Sequence, residues 1–385
     1  MKNDMKTTLN WPPAIANWLG FENKEPLLAI HEYPLFTDAW ITGEISLGPY
    51  KFINTVAASN MEPVQPGIVL RYAMHKGWDH PNFQRANADI YHGGAPPEEL
   101  AALASLVMGI RLRAGRATRR FEPGGDPLGT PQEIGEQTMP YFSKPRAYNL
   151  PSVANGQHSL MALDMLKLLL SLSHEEAIAI VRAARLYQDA LWLAESEPAL
   201  SWLLLVSALE TAATEWQKDR GDNTAQLQAS KPELYEYLNR LNDNNILPTV
   251  AGYLKDSLGI TKKFVDFLLT FLPEPPEVRP AEWAQFNWTQ DELKRAFQKI
   301  YDYRSKALHT GRPFPMPMCE PQYRDPSWQA PAERMTALGA SQGGGTWLQK
   351  DIPMYLHLFE HIARNALVKW WRFCEQRNDP IKQEI

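Results

Sequence analysis

The residue types with the most chemistry in this chain sit together between positions 300 and 312. The run is Ile300-Tyr-Asp-Tyr303-Arg304-Ser305-Lys306-Ala-Leu-His309-Thr-Gly311-Arg312, with an arginine and a histidine in R-x4-H spacing. Cutting RNA without a metal requires a proton removed from the 2′-hydroxyl, charge stabilised on the phosphorane, and a proton given to the 5′ leaving oxygen. Histidine, with an ordinary pKa of ~6.5, takes or gives that proton near neutral pH. Arginine is always charged and grips phosphate oxygens with two parallel donors. The pair suits part of such a reaction, whose products are a 2′,3′-cyclic phosphate and a 5′-hydroxyl. At ~100° per residue, however, five positions place Arg304 and His309 about 140° apart on a helix. They converge only if the helix unwinds at His309, ahead of Gly311, or if a second subunit completes the site. A plainer reading also exists. A histidine in the last turn followed by glycine suits the negative end of the helix dipole and a left-handed cap, and Arg304 can simply pair with Glu210 across a helix interface.

The elements that must hold these residues read as helical. From 159 to 219 the chain predicts two or three long helices. Leu163, Leu166, Leu169 and Leu170 recur at spacings of three and four,. Ser173 is a candidate N-cap ahead of His174-Glu175-Glu176, and Pro198 suits a first helical turn. Residues 199–210, ALSWLLLVSALE, are apolar almost all round, the pattern of a buried central helix,. They are too short, and too soon followed by charge, to span a membrane. Glu210 ends that run, and a lone carboxylate there needs a partner. Tyr301 and Tyr303 flank the motif; they can stack on a base, though core packing is the simpler role.

The run YDYRSKALHTG resembles the signature of HEPN domains (higher eukaryotes and prokaryotes nucleotide-binding), and more closely the ApeA-like group. The stretch SWLLLVSALETAA resembles that group's first core helix, which carries a Leu-Glu near its middle. The resemblance covers about residues 160–375. It implies an all-α HEPN-like helical bundle, a metal-independent endoribonuclease without cofactor, and a role as a prokaryotic toxin or antiviral defence effector. It further implies Arg304 and His309 as the catalytic pair and a homodimer in which two motifs face one cleft. Glu210, Ser305 and Tyr303 become supporting residues. In many active HEPN nucleases Asn, Asp or His follows the arginine; here it is Ser305, as in the ApeA-like group. The alternative is a non-catalytic HEPN module that binds RNA or a partner protein.

Ahead of the helices, the pattern changes. Segments 27–31, 40–47, 51–56 and 67–74 are rich in β-branched and aromatic residues and separated by Pro, Gly and Asn, as short strands are,. A helix is predicted from Pro96 to about Arg113, then a loop over 121–131. The expected architecture is therefore an α+β N-terminal domain, residues 1–150, followed by an all-α domain, residues 151–385, with loops at 273–280 and 313–346. The first domain has an expected sensor or regulatory role, its partner a phage or host trigger or an antitoxin.

With 385 residues, 22% of them charged and a net charge of −5, the chain reads as a globular protein that does not coat nucleic acid over its whole surface,. A local site remains open: residues 290–312 carry six Lys or Arg against three Asp or Glu. Lys306 and Arg312 are candidate RNA contacts, as are Arg111, Arg113 and Arg116 in the densest arginine run, whose plain reading is a solvated helix end pairing with Glu122. Two cysteines suggest free thiols in a cytoplasmic protein. No early apolar segment predicts secretion or insertion. His75, His80 and His92, with Asp79 and Asp89, lack the spacing of a metal site, and His357 with His361 reads as part of an ordinary amphipathic helix.

Overall fold

The computed structural model describes residues 11–55, 64–77, 91–132, 139–141, 145–154, 156–218, 223–241, 245–254 and 259–378. A first helix, α1 (Pro13–Glu22), leads into five strands: β1 (Ala29–Thr37), β2 (Trp40–Thr42), β3 (Glu44–Leu47), β4 (Tyr50–Asn54) and β5 (Gln65–Met74). Helix α2 (Pro96–Met108) and short strands β6 (Arg113–Ala114), β7 (Arg119–Phe121) and β8 (Thr130–Pro131) complete the first region. The main sheet has the order β3-β4-β5-β1-β7-β8, with β6 also on β1, and its pairings are antiparallel. Its inward residues Leu35, Leu47, Phe52, Ile68 and Leu70 are fully buried. The outer face is less buried and carries the Glu32–Arg71 pair and Lys51 among apolar residues such as Ile53 and Val69, as an antiparallel sheet with one face on a core allows.

The helical region starts with α3 (Pro151–Ala154) and β9 (Gln157–Ser159), which pairs in parallel with β2. Residues Leu160–Ser171 form a 3-10 segment, not the expected α-helix. With three residues per turn, side chains three apart lie on one line. Leu160, Leu163, Leu166 and Leu169 form that line and are all buried. The leucine spacing thus recorded a tighter helix than the one expected.

Helices α4 (His174–Leu193) and α5 (Pro198–Trp216) follow as an antiparallel pair. Ser173 caps α4 with a reciprocal Glu176 bond,. Three short helices, α6 (Asn223–Ser230), α7 (Pro232–Arg240) and α8 (Ile246–Leu254), pack a small apolar cluster around Leu227, Leu238 and Ala251. Helices α9 (Ile260–Thr270), α10 (Gln290–Thr310) and α11 (Leu356–Asn378) close the bundle.

The second region is helical but not all-α. Within the stretch expected as loop, β10 (Gly339–Gln342) and β11 (Gly345–Leu348) form a hairpin. Gly343 and Gly344, both at positive φ (58° and 83°), make its two-residue turn,. The Gly-rich tip is a hairpin turn and not a loose loop.

The change from sheet to helices falls near residue 150, yet one hydrophobic cluster runs from Ala14 to Cys374 through both regions. Two polar ties join them. The fully buried Arg111 guanidinium spans Asp38 (2.7 Å) and Glu195 (3.0 Å) and donates to Leu191 O. Within the helical region, Tyr187 on α4 donates to Glu360 on α11 at 2.6 Å. Arg364 on α11 donates to Leu106 O and Val107 O, the last-turn carbonyls of α2. It reaches them because Gly109, left-handed at φ 70°, offers no Cβ; one would lie 2.8 Å from Arg364 Nε. Among the described residues no helix is long and apolar enough to cross a membrane.

Candidate active site

Helix α10 presents two chemically different faces. Leu293, Ala296, Phe297, Ile300 and Tyr301 are buried, at spacings of three, one, three and one, so they form one apolar stripe,. Arg304 follows Tyr301 by three and lies on that inner side. There its guanidinium donates to Glu210 Oε2 on α5, an ion pair whose side chains are 17% and 14% exposed. The other carboxylate oxygen accepts the Tyr301 hydroxyl at 2.7 Å. The guanidinium carbon stands 5.5 Å from the Tyr301 ring centre. Burial, then the bond to Glu210, raise the Tyr301 pKa, so its hydroxyl remains a donor. Arg304 Nε is buried without a hydrogen-bond partner. The carboxylate that ends the apolar α5 run thus has the partner it required, and a tyrosine as well.

His309 lies elsewhere. The helix stays regular to Thr310 and ends at Gly311, left-handed at φ 67°, whose N–H closes on Lys306 O. There is no unwinding ahead of the glycine, so the 140° separation of an ideal helix holds. His309 is exposed in the last turn, while Arg304 is turned inward. One chain does not bring the two together; of the two routes to convergence, only a second subunit is left.

Ser305 is half-buried beside Arg304. Tyr303 is anchored by its hydroxyl to Asp351 O at 2.8 Å and packs near Phe314. Both motif tyrosines therefore serve packing in this state. Lys306 pairs with Asp302 at 2.6 Å on the outer face, and Arg312 is exposed just past the cap. Trp202 holds the following segment down: it stacks between Phe314 and Phe359 and donates to Met318 O at 2.9 Å.

The arginine run needs correction. It is not a helix end: α2 stops at Met108, Arg111 lies ahead of β6, and the other arginines lie on or between β6 and β7. Arg111 is fully buried between Asp38 and Glu195, so it cannot meet a phosphate. Arg113 pairs with Asp189 at 2.9 Å and covers Trp192. Arg116 is exposed, and Arg120 pairs with Glu122. None of these is near α10 in the ion pairs that organise the motif.

Of the histidine group, His75 Nδ1 lies 2.8 Å from Glu25 O and His92 Nδ1 lies 3.3 Å from an Arg182 nitrogen. His80, Asp79 and Asp89 fall outside the described residues. No group of three or more His, Cys, Asp or Glu suited to a metal occurs among the described residues. His357 and His361 border a cavity of about 330 Å³ with Arg324 and Glu333. Burial, then His361, depress the His357 pKa to about 3, so its ring is neutral.

No family model matches the chain, and searches of curated proteins and of solved structures gave no match. The residues themselves must therefore carry the functional argument.

Two grooves adjoin the motif. One, of about 670 Å³, runs between α4 and α5 and carries Glu175, Glu210 and Glu215 against Arg182. The other, of about 410 Å³, lies on the outer side of α10 and carries Arg295, Lys299, Arg334 and Lys350 against Glu292. Sequence reasoning found the basic character of α10 but missed Arg334 and Lys350, which lie some forty to fifty residues away in sequence and are brought in by the chain around the hairpin. The bonds from Lys299 to Lys350 O and from Tyr303 to Asp351 O, both tertiary contacts, tie that chain to α10.

Proposed function

We propose that this chain is a metal-independent endoribonuclease of HEPN type, active as a homodimer, and a toxin or antiviral defence effector. The observation that carries the reading is the partly buried Glu210–Arg304–Tyr301 network that ties α5 to the helix whose exposed end holds His309. A surface arginine needs no such anchor. In this reading Glu210 and Tyr301 fix Arg304 at one site half, and His309 of a second copy supplies the proton-transfer group. The resemblance of residues 160–375 to ApeA-like HEPN domains supports the same assignment.

The non-catalytic reading has its own support: Glu210 already neutralises Arg304, and a guanidinium so engaged is not free to grip phosphate. One comparison separates them. Purified protein incubated with RNA should cut it in EDTA and leave 2′,3′-cyclic phosphate ends. His309→Ala should lower cleavage about 10²–10⁴-fold, the range of general acid–base help, while the circular dichroism spectrum stays unchanged. Equal cleavage by the folded His309→Ala protein, or activity that EDTA abolishes, removes the ribonuclease reading as stated.

A further inference from the structure

We infer that the outer groove of α10 binds single-stranded nucleic acid, and that the strand runs along this helix toward His309. The inference deepens the ribonuclease reading and rests on it for the strand being RNA.

The first argument is placement. Arg295, Lys299, Lys306 and His309 follow at spacings of four, seven and three, which places them within an arc of ~80° opposite the buried stripe. From Arg295 to His309 the helix rises ~21 Å, enough for several nucleotides of an extended strand. Asp302 is the one acid on this stripe, and Lys306 pairs with it.

The second argument is how the cations are held. Lys299 Nζ donates to Lys350 O at 2.5 Å, and Arg334 Nη2 donates to Trp283 O at 2.7 Å. Both heads are fixed by neutral carbonyls, so position is set while the charge is kept. Arg295 takes Glu292 at 2.7 Å, which satisfies the one carboxylate of the groove. Among the described residues no carboxylate pairs with Lys299, Arg334 or Lys350. Surface charges that serve only solubility are usually matched or mobile; Lys299 and Arg334 are placed, and none of the three is matched. The acidic α4–α5 groove, with three carboxylates to one arginine, repels the same ligand,.

The third argument is an aromatic at the rim. Trp283, whose carbonyl positions Arg334, is 54% exposed and is braced edge-on by Trp328 at 5.2 Å. Several cations beside an exposed, braced indole are the combination that binds single strands through backbone charge and base stacking. A base-paired helix offers no free base face to Trp283, so the groove favours a single strand.

The test is binding of a fluorescein-labelled, 2′-O-methyl single-stranded oligonucleotide, which cannot be cut, followed by anisotropy across a salt series. Each phosphate contact on a single strand contributes a slope of about −0.7 in log K against log salt. Lys299→Gln/Lys350→Gln should weaken binding about tenfold or more near 0.1 M salt and flatten the slope by ~1.4. Trp283→Ala should weaken binding about tenfold and leave the slope unchanged, since stacking releases no counterions. Lys51→Gln, at an exposed position of β4, should match wild type. The inference is overturned if the oligonucleotide does not bind at micromolar protein, if the groove variants bind it as wild type does, or if polyglutamate of equal charge competes as well as the oligonucleotide. RNA cleavage that persists with unchanged groove variants would remove this inference and leave the ribonuclease reading standing; groove-dependent binding without cleavage would do the reverse.

Discussion

At the residue scale, Glu210 is a hub for two groups from α10. Replacing Arg304 with alanine strips the carboxylate of its countercharge in a site that is mostly closed to water. The expected cost is about 2–3 kcal/mol, below the ~3–5 kcal/mol of a fully buried pair because some solvent reaches both groups. Adding Glu210→Gln should recover about 1–2 kcal/mol, since a neutral amide tolerates the missing partner. Chemical denaturation of the four proteins of this cycle measures it; additive losses would mean that the pair is not coupled. A second residue makes stability pH-dependent. Glu99, on α2, is fully buried and accepts Ala14 N–H at 2.8 Å. Burial raises its pKa from 4.5 to about 8, against the smaller pull of that hydrogen bond and of Arg185. The folded pKa lies above the unfolded one, so folding retains a proton that the unfolded chain has released. Its stabilising effect is complete below pH 4.5 and declines as pH rises to about 8, by roughly 1.4 kcal/mol per pH unit. Glu99→Gln carries no such proton, so its Tm should gain on wild type as pH rises from 5 to 8. Parallel Tm profiles for the two proteins would contradict the assignment.

At the element scale, α10 was legible as a helix with a glycine stop, and its cap behaves as the sequence suggested. Gly311 sits in the left-handed region, and a Cβ there would meet nothing within 4 Å. Gly311→Ala should therefore cost only the backbone penalty, about 1–2 kcal/mol, with RNA cleavage per folded molecule preserved. Loss of cleavage with the fold intact would show that the turn itself contributes to the site. The 3-10 segment was less legible. Four leucines in step with a three-residue turn also fit an α-helical face approximately, and packing against α2 and β3 chose between them. The β10–β11 hairpin was hidden for a similar reason: its strands are only four residues each and mostly exposed, too short for an alternation to announce them.

At the scale of the whole molecule, one core and the ties through Arg111 and Arg364 join the sheet region to the helices. Any signal received by the N-terminal region therefore meets packed side chains, not a slack linker. The inward Arg304 and outward His309 make the dimer a requirement of the ribonuclease reading. If Arg304 of one copy works with His309 of the other, mixing the inactive Arg304→Ala and His309→Ala proteins should restore cleavage. Random pairing gives half heterodimers with one sound site in two, or about a quarter of wild-type activity for a symmetric pair. No recovery after subunit exchange, shown to have occurred by native mass spectrometry, would count against a shared site.

The sequence by itself determined the features that depend on local spacing. These include the strand character of the segments 27–31, 51–56 and 67–74, the Ser173 cap, the Pro198 helix start, the apolar α5, the α10 stop at Gly311 and the demand that Glu210 find a partner; the segment 40–47 is two strands, broken at Gly43. Each follows from periodicity, backbone preference or the cost of burying charge, which act over a few residues. Tertiary structure alone decided that Arg111 is an interior bridge, since its environment comes from Asp38 and Glu195, some eighty residues away on either side. It alone brought Arg334 and Lys350 to the outer face of α10. It also gave the sheet and helices a common core, because which apolar faces meet depends on topology that local pattern does not encode.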